Sequence, residues 1–70
     1  MPNVLAHITG TVVRVEKSPG ESVSAGEAIV ILESMKMEMP VESPVDGRVK
    51  EVRVKEGQSV AEGDVLAVVE

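Results

Sequence analysis

The side chains best placed to do chemistry lie in residues 33–39, which read Glu-Ser-Met-Lys-Met-Glu-Met with Lys36 at the centre. Lysine offers a primary amine, whereas the whole chain has no cysteine and a single histidine. The alternation of methionine with Lys36 and Glu38 is also typical of an ordinary half-buried strand. Periodicity alone favours that second interpretation. Whether Lys36 is a displayed amine or an ordinary strand residue therefore depends on its position in the fold.

Composition restricts the class of protein to which the chain can belong. Its 70 residues predict a single domain over residues 1–70, which would bury about 60% of its unfolded surface. The net charge of −5 and the lack of aromatic residues argue against nucleic-acid binding, which needs a basic face and stacking side chains. The longest apolar run, residues 28–32, is too short to cross a membrane, and the first residues lack signal-peptide features. We therefore expect a cytoplasmic protein with no nucleic-acid and no membrane partner.

The same composition argues against an enzyme that acts by itself. A chain of 7.4 kDa has little room for a ligand cleft, which usually encloses roughly 300 Å³ or more. With one histidine and no cysteine, we expect no catalytic residue and no metal site. If the chain takes part in catalysis, it should do so as something on which another protein acts.

The chain contains one unit written twice. Residues 8–33 align with residues 45–70 at a constant offset of 37 positions and without a gap. Eight of the 26 positions are identical, against about two expected by chance, so an internal repeat is the better interpretation. Two such units should pack on each other about a pseudo-two-fold axis. The identical pairs are Gly10/Gly47, Val12/Val49, Val15/Val52, Gly20/Gly57, Ser22/Ser59, Val23/Val60, Gly26/Gly63 and Glu33/Glu70.

Each unit has the pattern of a series of short strands. Residues 11–17 and 48–55 are rich in valine and bounded by glycines, and the valines three apart in each predict a β-bulge or a strong local twist. Two glycine turns with a very short strand between them follow. A continuous apolar run, residues 28–33 or 65–70, then indicates a buried strand. The sequence therefore predicts an all-β fold, a flattened antiparallel barrel or sandwich of two small sheets.

The segment that joins the two halves breaks a rule that the chain follows elsewhere. The halves comprise about residues 4–33 and 41–70, and residues 34–40 should form a hairpin with a tight turn near Met35 and Lys36. Such turns usually need positive φ at both central residues, and therefore Asn-Gly, Asp-Gly or similar pairs. The other turns of the chain use glycine. A local rule that is broken once indicates that Lys36 is displayed for function.

Several motifs resemble those of the biotinyl/lipoyl attachment family. Residues 33–38 resemble the attachment sequence of biotinyl domains, typically Ala-Met-Lys-Met, here with Ser34 in place of alanine. Residues 43–47, Ser-Pro-Val-Asp-Gly, resemble the Ala-Pro-x-x-Gly sequence that opens the second half of such domains. Both Gly-x-x-Val-x-x-Gly turns also stand where the family has them. The resemblance covers nearly the whole chain and implies the pseudo-two-fold barrel-sandwich hybrid fold, with the modified lysine on a hairpin opposite the chain termini.

The resemblance implies a carrier function. Lys36 would be the residue that a biotin protein ligase acylates with biotinyl-AMP. Because lysine amines are almost fully protonated near neutral pH, the ligase has to supply the base. The attached biotin would carry a carboxyl group from a biotin carboxylase site to a carboxyltransferase site, where an acyl-CoA or a 2-oxo acid accepts it. The chain itself would be a non-catalytic component, monomeric in isolation.

The residues beside Lys36 bear on the choice of prosthetic group. Met35 and Met37 match the methionines that flank the lysine in biotinyl domains, whereas lipoyl domains more often have Asp and Ala there. Small free-standing members of the family resemble both types, so attachment of lipoate to Lys36 stays open. Glu33 and Glu38 are candidates for recognition by the ligase, with solvated hairpin charges as the alternative interpretation.

Other features bear on which subtype of the biotinyl/lipoyl family the chain resembles. His7 stands where the family often has proline, which weakens the match at this edge, and we expect a surface residue without a role. Nothing interrupts the first half between Val15 and Gly26, so the chain resembles carriers without a "thumb" insertion. The absence of an Ala/Pro-rich linker agrees with that class. Met1 close to the first strand and a stop at the end of the last strand favour a stand-alone protein, although an excised domain would have the same features. A third alternative is an unmodified structural barrel-sandwich module, as in membrane-fusion proteins of efflux systems.

Overall fold

The computed structural model describes residues 2–70, which form eight β-strands and no helix. The predicted domain begins at Met1, which lies outside the described residues. The prediction of an all-β fold is confirmed. The strands are β1 (Asn3–Leu5), β2 (Gly10–Val15), β3 (Ser22–Val23), β4 (Ala28–Ser34), β5 (Met37–Glu42), β6 (Gly47–Val52), β7 (Ser59–Val60) and β8 (Val65–Val69).

The strands form two four-stranded antiparallel sheets, ordered β1-β8-β6-β3 and β5-β4-β2-β7. At the 37-residue offset, β1 to β4 correspond to β5 to β8, and exchanging each strand for its counterpart converts one sheet order into the other. Each sheet therefore contains two strands from each repeat. This arrangement confirms the predicted pair of small sheets with pseudo-two-fold symmetry.

Backbone hydrogen bonds between glycine turns and strands tie the two repeats together. In each bond a glycine N–H of one repeat donates to a backbone carbonyl of the other, and the bonds occur in equivalent pairs. The four glycines have φ between 88° and 94°, a region that a side chain makes costly. Neither repeat can satisfy these turns without the other. The bonds are Gly57 to Val12 (2.7 Å), Gly20 to Val49 (2.8 Å), Gly63 to Ala6 (2.9 Å) and Gly26 to Ser43 (2.9 Å).

The register of β2 and β6 is interrupted where the valine spacing predicts a β-bulge or a strong local twist. Register shifts fall between Val12 and Arg14 in β2 and between Val49 and Glu51 in β6. Each shift lets the buried valine of the strand and the half-buried valine three positions later face the same core, because the bulge restores the inward phase.

The sequence predicts β2 and β6 too long. β2 ends at Val15 instead of residue 17, and β6 ends at Val52 instead of residue 55. The physical reason is turn formation: the Ser18 N–H donates to Glu21 Oε2 at 3.0 Å, so the backbone has already left the sheet.

Strand β1 is missing from the sequence-based prediction. In this strand the repeat is carried by one identical pair, Val4 and Val41, which are both buried. The structure extends the repeat over the whole strand, since Asn3 pairs with Val68 as Pro40 pairs with Ile31, at the same offset.

The core between the sheets is built of aliphatic side chains alone. One polar residue, Ser43, is buried among the described residues, and its Oγ donates to the Val45 carbonyl oxygen at 2.6 Å. No buried side-chain nitrogen or oxygen in residues 2–70 lacks a hydrogen-bond partner, so the core carries no unpaired polar atom. The largest fully buried side chains are Ile29, Leu32, Leu66, Val12, Val30, Val49 and Val69.

Gly10 and Gly47 are required where two backbones approach closely. A Cβ atom at Gly10 would lie 2.5 Å from the Glu33 carbonyl oxygen, and one at Gly47 would meet the Glu70 carbonyl oxygen. Because Glu33 and Glu70 are equivalent at the 37-residue offset, the same contact is made in both sheets.

We expect Gly10→Ala to lower the free energy of unfolding by about 1–3 kcal/mol, because the added methyl group must displace backbone. Urea unfolding would measure the change. Thr11→Ala, at an exposed neighbouring position in β2, is the matched control and should stay within about 0.5 kcal/mol of the wild type. Equal stabilities of the two variants would contradict the close approach.

Glu27 lies at the end of β4 remote from the central hairpin. A hydrogen bond from the Ser24 N–H (2.9 Å) and the nearby Lys17 ammonium (3.0 Å) together hold the pKa of the Glu27 carboxyl below its ordinary value of 4.5. The folded state therefore favours the ionised form of this carboxyl.

Because the folded-state pKa of Glu27 is lowered, its contribution to stability is present above pH 4.5 and is lost as the pH falls through the lowered value. The difference in unfolding free energy between the wild type and Glu27→Gln should therefore shrink from about pH 6 to about pH 3. Urea unfolding across this range measures it. A difference that grows with acidification would show that folding does not lower the pKa of the Glu27 carboxyl.

Candidate functional site

The hairpin between β4 and β5 turns through two residues. Ser34 pairs with Met37 in the antiparallel register, which leaves Met35 and Lys36 as the loop. Their φ angles are 53° and 65°, and two positive φ angles at the central positions define a type I′ turn. The turn predicted at Met35 and Lys36 is therefore confirmed.

This turn is strained for its residue types. Positive φ costs a residue with a side chain roughly 1–2 kcal/mol, and Met35 and Lys36 are the only described non-glycine residues that adopt it. Such strain persists only where the surrounding structure determines the backbone.

The two arms of the hairpin fix the backbone conformation of the turn. Val30 pairs with Val41 and Leu32 with Met39, and these pairs face the core. Val30 and Leu32 are fully buried and Val41 is 5% exposed. Because the arms are packed in a fixed register, the turn between them has two residues in which to reverse the chain.

The side chains at the turn point into solvent. Met35 is 90% exposed and Met37 is 64% exposed, and Lys36 between them is exposed as well. Within residues 2–70, no carboxylate lies within ion-pair distance of the Lys36 ammonium. The amine is therefore exposed at the tip of a hairpin whose arms pack into the core.

The other predicted flanking residues lie immediately below the turn. Glu33 pairs directly with Glu38 on the outer face of the sheet, and both are exposed, whereas Ser34 is half-buried. Like charges directly opposite each other are unfavourable in a sheet. Arg14 of the neighbouring strand β2 offsets the pair in part, since its Nη2 lies 3.9 Å from Glu38 Oε1.

Arg14 is the residue near this hairpin that the sequence does not reveal. It lies 22 residues from Lys36, and only the strand register brings it beside Glu38. A signal does exist in the repeat: Arg14 aligns with Glu51 at the 37-residue offset, so the repeats carry opposite charges there. Arg14 pairs with Glu16 (3.0 Å) while the second repeat pairs Glu51 with Arg53.

The hairpin has a structural counterpart at the ends of the chain. β8 pairs with β1 in the register that β4 uses with β5, and the Val69 N–H donates to the Pro2 carbonyl oxygen at 3.0 Å. The pseudo-two-fold axis therefore relates the Met35–Lys36 turn to the place where Pro2 and Glu70 lie.

Other parts of residues 2–70 offer no competing site. This part of the chain has no cavity, no cluster of three metal-ligating side chains and no helix that could cross a membrane. His7 is exposed at the surface, as expected.

Comparison with known protein families agrees with this site. A family profile for biotin/lipoyl domains, described as "Biotin-requiring enzyme", matches residues 1–69. The chain belongs to the biotin/lipoyl family. Membership confirms the family expected from residues 33–38, and with it the expected cofactor class, biotin with lipoate as a possible alternative.

Relatives within the biotin/lipoyl family are of two sizes. The chain is 42% identical over 65 residues to the pyruvate carboxylase of Staphylococcus aureus, and it covers 6% of that protein. It is 44% identical over 63 residues to the biotin/lipoyl attachment protein of Bacillus subtilis, of which it covers 86%. It is 42% identical over 67 residues to the biotinylated protein TB7.3 homolog of Mycobacterium leprae, of which it covers 94%. The similarity to the large relative therefore concerns one small part of it.

Solved structures of this family reproduce the fold. The urea carboxylase of Kluyveromyces lactis matches 99% of this chain with a TM-score of 0.94 and 32% identity, over 6% of its own length. The lipoyl domain of the 2-oxoglutarate dehydrogenase complex of Azotobacter vinelandii matches 89% of this chain with a TM-score of 0.74 and 37% identity, over 78% of its own length. A segment of a carboxylase and a lipoyl domain therefore share this architecture.

We expect Met35→Asn to raise the free energy of unfolding by about 1 kcal/mol, because asparagine tolerates the positive φ that Met35 adopts. Urea unfolding would measure the gain. Met37→Asn is the matched control, since Met37 is exposed but lies in a strand, where asparagine is unfavourable. If both variants changed stability alike, the strain would not reside in the turn.

Proposed function

We propose that the chain is a biotin carboxyl carrier in which Lys36 Nζ bears the prosthetic group. One observation carries the proposal: Lys36 occupies a strained type I′ turn, where a chain optimised for stability would have glycine or asparagine. The exposure of Lys36 and its freedom from ion pairs within residues 2–70 fit an amine that another enzyme acylates.

The attachment step would be performed by a biotin protein ligase. Nζ attacks the carbonyl carbon of biotinyl-AMP, an amide bond forms, AMP leaves, and a base of the ligase takes the proton of the amine. The chain contributes the position of Nζ, which the core-packed arms of the hairpin hold away from the sheets. The flanking Met35 and Met37, and below them Glu33, Ser34 and Glu38, form the surface that the ligase would meet.

After attachment, the role of the chain is delivery between other proteins. Biotin supplies a ureido nitrogen that can carry a carboxyl group from a biotin carboxylase site to a carboxyltransferase site. The names of relatives, pyruvate carboxylase among them, support partners of this kind and a 2-oxo acid or acyl-CoA as acceptor. We further propose that residues 1–70 work as one non-catalytic, monomeric domain in the cytoplasm.

Lipoate is the second candidate for the group on Lys36. The overall structural similarity to a lipoyl domain, with a TM-score of 0.74, favours it. The methionines at positions 35 and 37 support biotin, since they match the biotinyl signature.

We expect the purified chain to gain the mass of one biotinyl group when it is coexpressed with a biotin protein ligase, because Lys36 is the displayed amine. Intact-mass spectrometry measures the gain. Lys36→Arg should abolish it, and Lys55→Arg, at another exposed lysine position, should not.

Three outcomes would contradict this expectation: no mass gain, a gain that survives Lys36→Arg, or one that Lys55→Arg removes. A gain that corresponds to a lipoyl group would replace biotin by lipoate and leave the site intact.

A further inference from the structure

We propose that Met35 and Met37 form a redox-sensitive modification site, at which oxidation of the thioethers to sulfoxides lowers the rate of Lys36 acylation. The oxidant is a hydroperoxide such as hydrogen peroxide. This inference rests on the proposed function, because its consequence concerns the acylation of Lys36.

Exposure makes these two thioethers accessible to a small oxidant. Met35 is 90% exposed and Met37 is 64% exposed, whereas Met39, two residues further along β5, is half-buried opposite Leu32. Solvent therefore reaches the first two sulfur atoms more readily than the third, although all three lie within five residues.

The composition of the chain leaves few other side chains that would react with an oxidant before Met35 and Met37. The chain has no cysteine, tryptophan or tyrosine, so no thiol or aromatic side chain of that kind competes for the oxidant. Of its four methionines, three are in this hairpin. The side chains most easily oxidised are therefore concentrated around Lys36.

The reaction balances with a hydroperoxide as sole co-reactant. A lone pair of the thioether sulfur attacks one peroxide oxygen, an S–O bond forms and the O–O bond breaks. The sulfur loses two electrons, and hydrogen peroxide is reduced to water. The product is a sulfoxide, which is polar and is returned to the thioether by methionine sulfoxide reductases.

The fold should tolerate the change at Met35 and Met37. Met35 lies in the turn, outside the sheet pairing, and Met37 pairs with the half-buried Ser34 directly next to the turn. Neither side chain fills the core. Oxidation of Met39 would instead place a polar sulfoxide against the fully buried Leu32.

Acylation should respond because the two methionines adjoin Lys36. Consecutive Cα atoms are about 3.8 Å apart, so an enzyme that takes Lys36 Nζ into its active site must also cover both neighbours. Covering an apolar thioether is favourable, whereas covering a sulfoxide without a hydrogen-bond donor carries a desolvation penalty. Oxidation therefore changes the surface that a partner meets and leaves the scaffold intact.

The experiment uses the unmodified chain and dilute hydrogen peroxide. Peptide mapping should find sulfoxide at positions 35 and 37 before position 39, while circular dichroism and the unfolding transition stay unchanged. The kcat/KM of biotin protein ligase for the oxidised chain should fall about fivefold or more, the order expected for burying one unpaired polar group. Treatment with methionine sulfoxide reductases should restore the original value.

Leucine variants separate this effect from general oxidative damage. For each variant the rate after oxidation is divided by the rate of the same untreated variant, so a change in the untreated rate does not matter. The ratio should approach 1 for the double variant Met35→Leu/Met37→Leu. It should stay low for Met39→Leu, because that variant keeps both exposed thioethers.

The inference is overturned if position 39 oxidises first, if the doubly oxidised wild type is acylated at the untreated rate, or if the double variant stays sensitive to peroxide. Failure of the proposed function has a different signature. In that case the untreated wild type is not acylated at all, and the inferred effect of oxidation on acylation is overturned as well.

Discussion

The structure depends on one reciprocal interaction, the exchange of backbone hydrogen bonds between two copies of the same unit. Gly57 of the second repeat donates to Val12 of the first, and Gly20 of the first donates to Val49 of the second. The short strands follow the same rule, since β3 pairs with β6 and β7 pairs with β2. A small chain without aromatic residues or disulfides cannot rely on a large core. It obtains a cooperative fold because each repeat completes the hydrogen bonding of the other.

The geometry of the hairpin between β4 and β5 is determined by this scaffold. The arms β4 and β5 are fixed in register by buried pairs, and the residues that must close the loop are Met35 and Lys36. A closed loop of two residues needs positive φ, whatever their type. The chain therefore accepts local strain where glycine would be easier, and the result is an exposed lysine at a defined place. The proposed acylation of Lys36 uses that place.

Much of this architecture is encoded in features that a single sequence displays. The glycines and valines of the repeat predict two equivalent sets of strands, and the valine spacing predicts an irregular strand, which the register shift between Val12 and Arg14 bears out, because both follow from local sterics and alternation. The missing turn residues predict the position of Lys36. Strand β1 escapes prediction because its three residues form a strand only through pairing with β8. The role of Arg14 beside the hairpin is not predicted for the same reason, since its approach to Glu38 depends on tertiary register.

The central claim is that a symmetric scaffold with core-packed hairpin arms presents Lys36 for modification. The most direct test compares backbone amide NMR spectra of the unmodified chain and the chain carrying its prosthetic group. The account predicts that chemical-shift changes are confined to residues 34–38, with the Lys36 side chain showing attachment and the amides of Gly20, Gly57 and their partners unmoved. Changes that spread into those glycine turns, or an adduct on another lysine, would contradict it.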